Sequence, residues 1–224
     1  MNFVAIGGLL YEAGGGFDFI LADLGVSSMQ LDNPKRGFSH KFDGPLDLRL
    51  NPRRGKPASE ILETRSIDEL EKIFYEHADE PHAETIAQVI KNSNAPMTTT
   101  GQLVEVVKAR LQKIRPALTE KSIKKSLQRT FMALRIEVND EFGALERFLR
   151  VLPKCLKPGG RVAVLSFHSG EDRRVKRAFA AGAHTGIYSE VASGPTRPSA
   201  EERRSNPRST CAKLRWAVRS PLDL

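Results

Sequence analysis

The stretch FDFILADLG, Phe17 to Gly25, decides the fold of this 224-residue chain. It is short and almost wholly apolar, and it ends in an acid and a glycine, the pattern of a parallel strand covered on both faces. Asp23 then stands at the carboxyl end of that strand, the edge of an open α/β sheet where ligands bind, and Gly25 permits a tight exit. A second run of the same kind, RVAVLS at residues 161–166, follows the turn Lys157-Pro158-Gly159-Gly160. Ahead of that turn, Phe131, Leu134, Val138, Phe142, Leu145, Phe148 and Leu149 recur at three and four. This spacing predicts one long helix over residues 129–152, with Asn139 interrupting its apolar stripe. Helix, turn and buried strand together form a parallel α/β unit. Residues 167–172, FHSGED, open a further helix at the end of the second strand, so two strand ends face one crevice.

Residues 27–56 carry the turn signals Asn33-Pro34, Gly37, Gly44-Pro45 and Pro52. Met29, Leu31, Phe38, Phe42, Leu46, Leu48 and Leu50 make this an ordered loop, partly tucked against the sheet. Beyond it the pattern turns helical. Ser66 with Glu69 forms a capping box ahead of Ile67, Leu70, Ile73 and Phe74, and two more amphipathic segments follow at residues 82–91 and after Thr98-Thr99-Thr100. Pro116 ends this run, and the basic stretch Lys121 to Arg129 reads as a link. The domain organisation expected is a partial sheet domain, residues 1–57 and 129–224, with an all-helical insert at 58–128. The tail from Gly182 to Arg208 reads mostly as loop, and residues 212–218 read as a last strand.

Lys and Arg total 35 against 27 Asp and Glu, for a net charge of +8. The excess is blocked. Residues 35–56 hold seven basic and two acidic groups and residues 108–135 nine and one, whereas residues 60–90 hold two and nine. Two basic blocks on one face would gather phosphates; the bland alternative is a solvated basic surface. No apolar run nears the ~20 residues needed to cross a bilayer, which excludes a membrane partner by a spanning helix. The residues before Phe17 resemble neither a secretory signal nor a transit peptide. Cys155 and Cys211 are too few for a disulfide scaffold or a four-ligand zinc site, and His77 and His82, flanking Pro81, read as solvent-exposed, so no metal is expected. There is no G-x-S-x-G, P-loop or H-E-x-x-H, and Gly14-Gly15-Gly16 lacks the context of a dinucleotide fingerprint. What remains suits group transfer to a large anionic substrate.

Four strings now come in order and span nearly the whole chain: DLGVSSMQLDNPKRGFSHKFDGPLDLRL (23–50), TFMALRIEVNDE (130–141), LKPGGRVAVLSFHSGEDRRVK (156–176) and NPRSTCAKLR (206–215). Together they resemble the signature of the RsmH (MraW) family. These are S-adenosylmethionine-dependent methyltransferases acting on the N4 amine of a cytidine in small-subunit ribosomal RNA. The resemblance implies an α/β fold: the C-terminal portion of a class I, Rossmann-like methyltransferase sheet with an inserted helical subdomain that recognises RNA. It implies S-adenosylmethionine as cofactor, ribosomal RNA or the small subunit as partner, and the cytoplasm as compartment. An organelle matrix follows instead if a targeting segment is missing, and homo-oligomerisation is left open. The family's glycine-rich loop and ribose-binding acid have no counterpart before Phe17, which implies an unpaired apolar edge on the first strand. A catalytically inactive homologue that only binds RNA is therefore the alternative reading. Smaller departures are Met132 where the family usually has Gln, Gly170 where it has Leu, Leu127-Gln128 where it has Ala-Thr, and Ala78-Asp79 where it has Gly-Glu.

Carried over residue by residue, the resemblance places Phe3, Asp23 and Gln30 at the cofactor. From the residues alone Phe3 reads as core, and a turn cap is the alternative for Asp23. Asp23 and His168 are the catalytic candidates, the first toward cofactor or N4 amine and the second toward the cytidine or its phosphate. A loop histidine is more often structural. Arg49, Arg129, Arg135, Asn139 and Arg215 are candidate RNA contacts against solvated or structural roles. Asp43 and Asp47 either order their loop by an internal ion pair with Arg49 or reach the substrate.

Overall fold

The computed structural model describes residue 8 and residues 15–93, 95–114 and 116–221. Its elements run β1 (Phe17–Asp23), α1 (Ser28–Leu31), α2 (Ala58–Thr64), α3 (Ile67–Ala78), α4 (Ala83–Lys91), α5 (Thr100–Leu111), α6 (Glu120–Asn139), α7 (Glu141–Cys155), β2 (Leu156–Ser166), α8 (Ser169–His184), β3 (Tyr188–Val191), α9 (Ala200–Ser205) and β4 (Lys213–Arg219). They divide into two compact units: Met1–Gly25 with Phe142–Leu224, and Val26–Glu141.

The first unit is the sheet. Its four strands lie in the order β1-β2-β4-β3. β1 and β2 are parallel, with Ile20 opposite Val162 and Asp23 opposite Leu165, while β4 runs antiparallel to β2 and β3. This is the Rossmann-like arrangement the two apolar runs imply. Pro158 to Gly160 do not precede the second strand but lie within it: Gly159 has φ 74°, and the register slips between Phe17 and Phe19. One face buries Ile20, Ala22, Val162, Val164 and Ala217 under Leu145, Phe148, Leu149, Leu152, Val175 and Phe179 of α7 and α8. Fully burying each of the larger of these side chains stabilises the fold by about 1.5–3 kcal/mol. The other face is barer, with Phe19 58%, Leu21 62% and Trp216 38% exposed. The tail is more ordered than its composition suggests, supplying β3 and α9.

The second unit is helical and holds more chain than residues 58–128. Phe38, Leu46 and Leu48 of the long loop are buried with Leu70, Phe74, Ile86, Leu103, Val107 and Leu111, and so are Phe131 and Leu134 of α6. The loop and the 129–139 helix therefore belong to this core rather than to the sheet. The expected capping box forms: Ser66 Oγ accepts from the Glu69 amide at 3.2 Å and Glu69 Oε2 from the Ser66 amide at 2.8 Å. The predicted 129–152 helix is two helices. α6 starts nine residues earlier, absorbing the basic stretch read as a link, and ends at Asp140, whose φ of 47° breaks it. Among the described residues no helix is long and apolar enough to cross a membrane.

Candidate active site

In the sheet unit, parallel pairing of β1 and β2 brings Asp23 and the Ser166–Asp172 turn to the same edge. Leu24 extends the pairing, its amide donating to the Leu165 carbonyl at 3.0 Å. Gly25 then turns away with φ 93°, a region that suits glycine. The Asp23 carboxylate is exposed and has no hydrogen-bond or ion-pair partner among the described residues.

Across from it the chain turns from β2 into α8. Ser166 is buried and donates its hydroxyl to the Lys213 carbonyl at 3.3 Å. Glu171 is buried and accepts the Phe167 amide at 2.9 Å, which closes the turn. His168 Nε2 lies 3.2 Å from Glu171 Oε1, a close approach without hydrogen-bond alignment, so both ring nitrogens are buried without a hydrogen-bond partner among the described residues. The imidazole leans on Phe142, with ring centroids 5.7 Å apart. Gly170 makes room for that ring, since a Cβ there would fall 2.5 Å from Phe142 Cζ. An aromatic at 142 thus occupies the space that a leucine at 170 would need.

Asp172 fixes where α8 begins. Its carboxylate accepts from Arg215 Nε at 2.7 Å and Lys213 Nζ at 3.1 Å, both on β4. Burial works to raise this carboxyl, but the hydrogen bonds and charges of Arg215 and Lys213 outweigh it and hold the group below the usual aspartate range. Arg215, expected at RNA phosphate, is instead 7% exposed and braces the helix against the sheet.

The helical unit carries Gln30, Arg49, Arg129, Arg135 and Asn139. Gln30 completes a capping box, its Oε1 accepting the Ser27 amide at 3.0 Å. Arg49 is spent on Asp47, Nη2 to Oδ2 at 2.7 Å, and that guanidinium holds the Asp47 carboxyl below its ordinary range. Asp43 accepts the Gly101 amide at 2.8 Å at the start of α5, so both aspartates order the loop. Arg135 pairs through two nitrogens with Glu141, at 2.7 and 2.8 Å. Asn139 pins the loop, donating to the Leu48 carbonyl at 2.8 Å and accepting the Leu50 amide at 2.7 Å. Leu48 needs that clamp: it is fully buried with φ 61°, a costly conformation for leucine. Arg129 is different. Its side chain is 38% exposed and its nearest acid, the buried Glu80, is 3.8 Å away. The two basic blocks meet at His40, whose ring is pushed toward its neutral form by burial and then by Lys41 and Lys124. His77, expected at the surface, turns inward onto Glu137 at 3.0 Å. Phe3 lies outside the described residues.

Of the residues expected at the cofactor, Asp23 in the sheet unit is an acceptor with no partner among the described residues, whereas Gln30 in the helical unit already spends its amide oxygen on the Ser27 amide. Neither the turn after β1 nor that after β2 is a glycine-rich cradle, so the fit is to part of the cofactor. From the sequence Glu171 reads as a favourable charge at a helix N-terminus; the structure adds its bond to the Phe167 amide and its contact with His168.

A parallel strand pair with polar groups at its carboxyl edge and helices over one face is a Rossmann-like sheet. Residues 1–220 match the model of the MraW methylase family, and the chain belongs to that family. It is 51% identical over 223 residues to ribosomal RNA small subunit methyltransferase H 1 of Agathobacter rectalis, covering 98% of this chain and 63% of that protein. It is 50% identical to ribosomal RNA small subunit methyltransferase H 1 of Lachnoclostridium phytofermentans, again over 98% of this chain but 61% of the relative. Ribosomal RNA small subunit methyltransferase H of Acaryochloris marina is 43% identical, over 92% of this chain and 67% of that protein. The chain thus spans about three fifths of the length of the first two relatives.

Proposed function

We propose that this chain acts in S-adenosylmethionine-dependent methylation of the N4 amine of a cytidine in small-subunit ribosomal RNA, in the cytoplasm. The observation that carries the reading is the free Asp23 carboxylate beside the His168 turn, at the carboxyl edge of adjacent parallel strands. The cofactor, when bound, supplies an electrophilic methyl on sulfur. A cytosine amine is a poor nucleophile because its lone pair is delocalised into the ring. Asp23 accepts a hydrogen bond from that amine, which orients it and raises its electron density. His168 sits where the turned-out cytidine would rest, held against Phe142. Neither need act as a general base, since the amine loses its proton readily once methylated. In the helical unit Arg129 contacts phosphate, while Arg49, Arg135 and Asn139 hold the surface it stands on.

A second reading, RNA or ribosome binding without catalysis, is favoured by one observation: Phe19 and Leu21 are largely exposed, and β1 has no strand on its other side among the described residues. Transfer of a labelled methyl from S-adenosylmethionine to purified small ribosomal subunits separates the two. Label at cytidine N4, lost in Asp23→Asn, is expected. Salt-sensitive RNA binding without label would favour the second reading, and neither would overturn both.

A further inference from the structure

We infer that the groove between α7 and α8 binds a single-stranded stretch of the same RNA, flanking the nucleotide at the strand edge; this rests on the RNA-directed reading above. The groove encloses about 530 Å3 and lies wholly in the sheet unit. Leu149 and Pro153 line one wall, Ala178 the other, and Ile187 with Tyr188 the far end. A Cβ at Gly182 would fall 2.4 Å from the Tyr188 ring, so glycine lets the edge of that ring come close against α8 at the groove's end.

Charge decides the occupant. Arg150 on α7 and Arg177 on α8 both line the groove, are exposed, and have no carboxylate or carbonyl partner among the described residues. The carboxylate in the groove, Glu146, is already held by Arg174 Nε at 2.9 Å. One uncompensated guanidinium on each wall, set beside these apolar side chains, suits a strand whose phosphates meet the arginines while sugar and base faces lie against the apolar lining.

Continuity decides which RNA. Arg174 also lines the groove, and its guanidinium stacks 3.5 Å from the centre of the Phe142 ring, the ring that touches His168. The groove therefore opens beside the strand edge, and a strand leaving that edge would run into it.

The test is fluorescence anisotropy with a labelled single-stranded oligoribonucleotide of small-subunit ribosomal sequence, across a salt series. The double variant Arg150→Glu/Arg177→Glu should weaken binding about tenfold or more, and lower the slope of log affinity against log salt by about 1.4, roughly 0.7 for each lost phosphate contact. Ala181→Trp, which fills the groove from an exposed position, should weaken binding severalfold with the slope unchanged. Both variants should keep the wild-type melting temperature. Wild-type affinity and slope in all these variants, with Arg129→Ala still weakened, would overturn the groove and leave the RNA reading standing. A wild-type chain that binds no RNA would overturn both. An acidic peptide that binds the groove in preference to the oligonucleotide, and is lost in the double variant, would also overturn the proposal.

Discussion

The two units spend their polar side chains differently. In the helical unit most candidate ligands have internal partners: Arg49 holds Asp47, Arg135 holds Glu141, and Asn139 clamps the backbone of Leu48 and Leu50. In the sheet unit Asp23 has no partner, and both nitrogens of His168 lack a hydrogen bond among the described residues. A buried imidazole left without hydrogen bonds is costly, and folding keeps such a group where something else repays it. The difference teaches that a polar residue in a family motif can serve by bracing a surface as well as by touching a ligand.

The largest effect expected is on the bridge between α8 and β4. Arg215→Ala leaves the Asp172 carboxylate buried beside Lys213 alone, and should cost about 3 kcal/mol or more in chemical denaturation. The same bridge sets a pH dependence. Its folded carboxyl lies below the ordinary aspartate value of about 3.9, so its stabilisation is fully present above that value and is lost as pH falls through the lower, folded one. Asp172→Asn should flatten the acid limb of the stability curve in that window. An unchanged limb would show that the bridge contributes nothing.

Next comes Asn139→Ala, which strands the buried Leu48 carbonyl and frees a left-handed leucine. It should cost about 2 kcal/mol, while the fraction still folded binds RNA as wild type does. A selective loss of RNA affinity would move Asn139 from brace to ligand. Gly170→Ala should cost about 1–2 kcal/mol by overpacking Phe142, with partial rescue by Phe142→Leu. Smallest in stability is Arg129→Ala, expected within about 0.5 kcal/mol of wild type, but with weaker RNA binding and a shallower salt dependence.

The strands were legible because nearly unbroken apolar runs ending in Asp-Leu-Gly and Ser-Phe-His leave few alternatives. The capping box at Ser66 was legible because its partners are three residues apart. The break at Asp140 was legible only as an interruption: Asn139 marks a candidate kink in the apolar stripe, but the stripe resumes at Phe142 and Leu145, so the sequence reads as one helix rather than two. Nor could the loop be assigned to its core: Phe38, Leu46 and Leu48 announce burial without saying against what. Arg215 misled for a related reason. Its partner, Asp172, is 43 residues away, and a guanidinium that folding will pair looks, in one dimension, like one waiting for phosphate.

The contrast between a committed helical unit and an uncommitted strand edge is tested most directly at Asp23. Thermal melting and labelled methyl transfer to small ribosomal subunits, measured together on the wild-type chain and on Asp23→Asn, should show the same melting temperature within about 1 °C, because the carboxylate has no partner to lose among the described residues. Methyl transfer should fall by about a hundredfold or more, because the amine loses its charged acceptor. A variant that melts several degrees lower while transferring methyl at the wild-type rate would contradict the account, and so would a wild-type chain that transfers none.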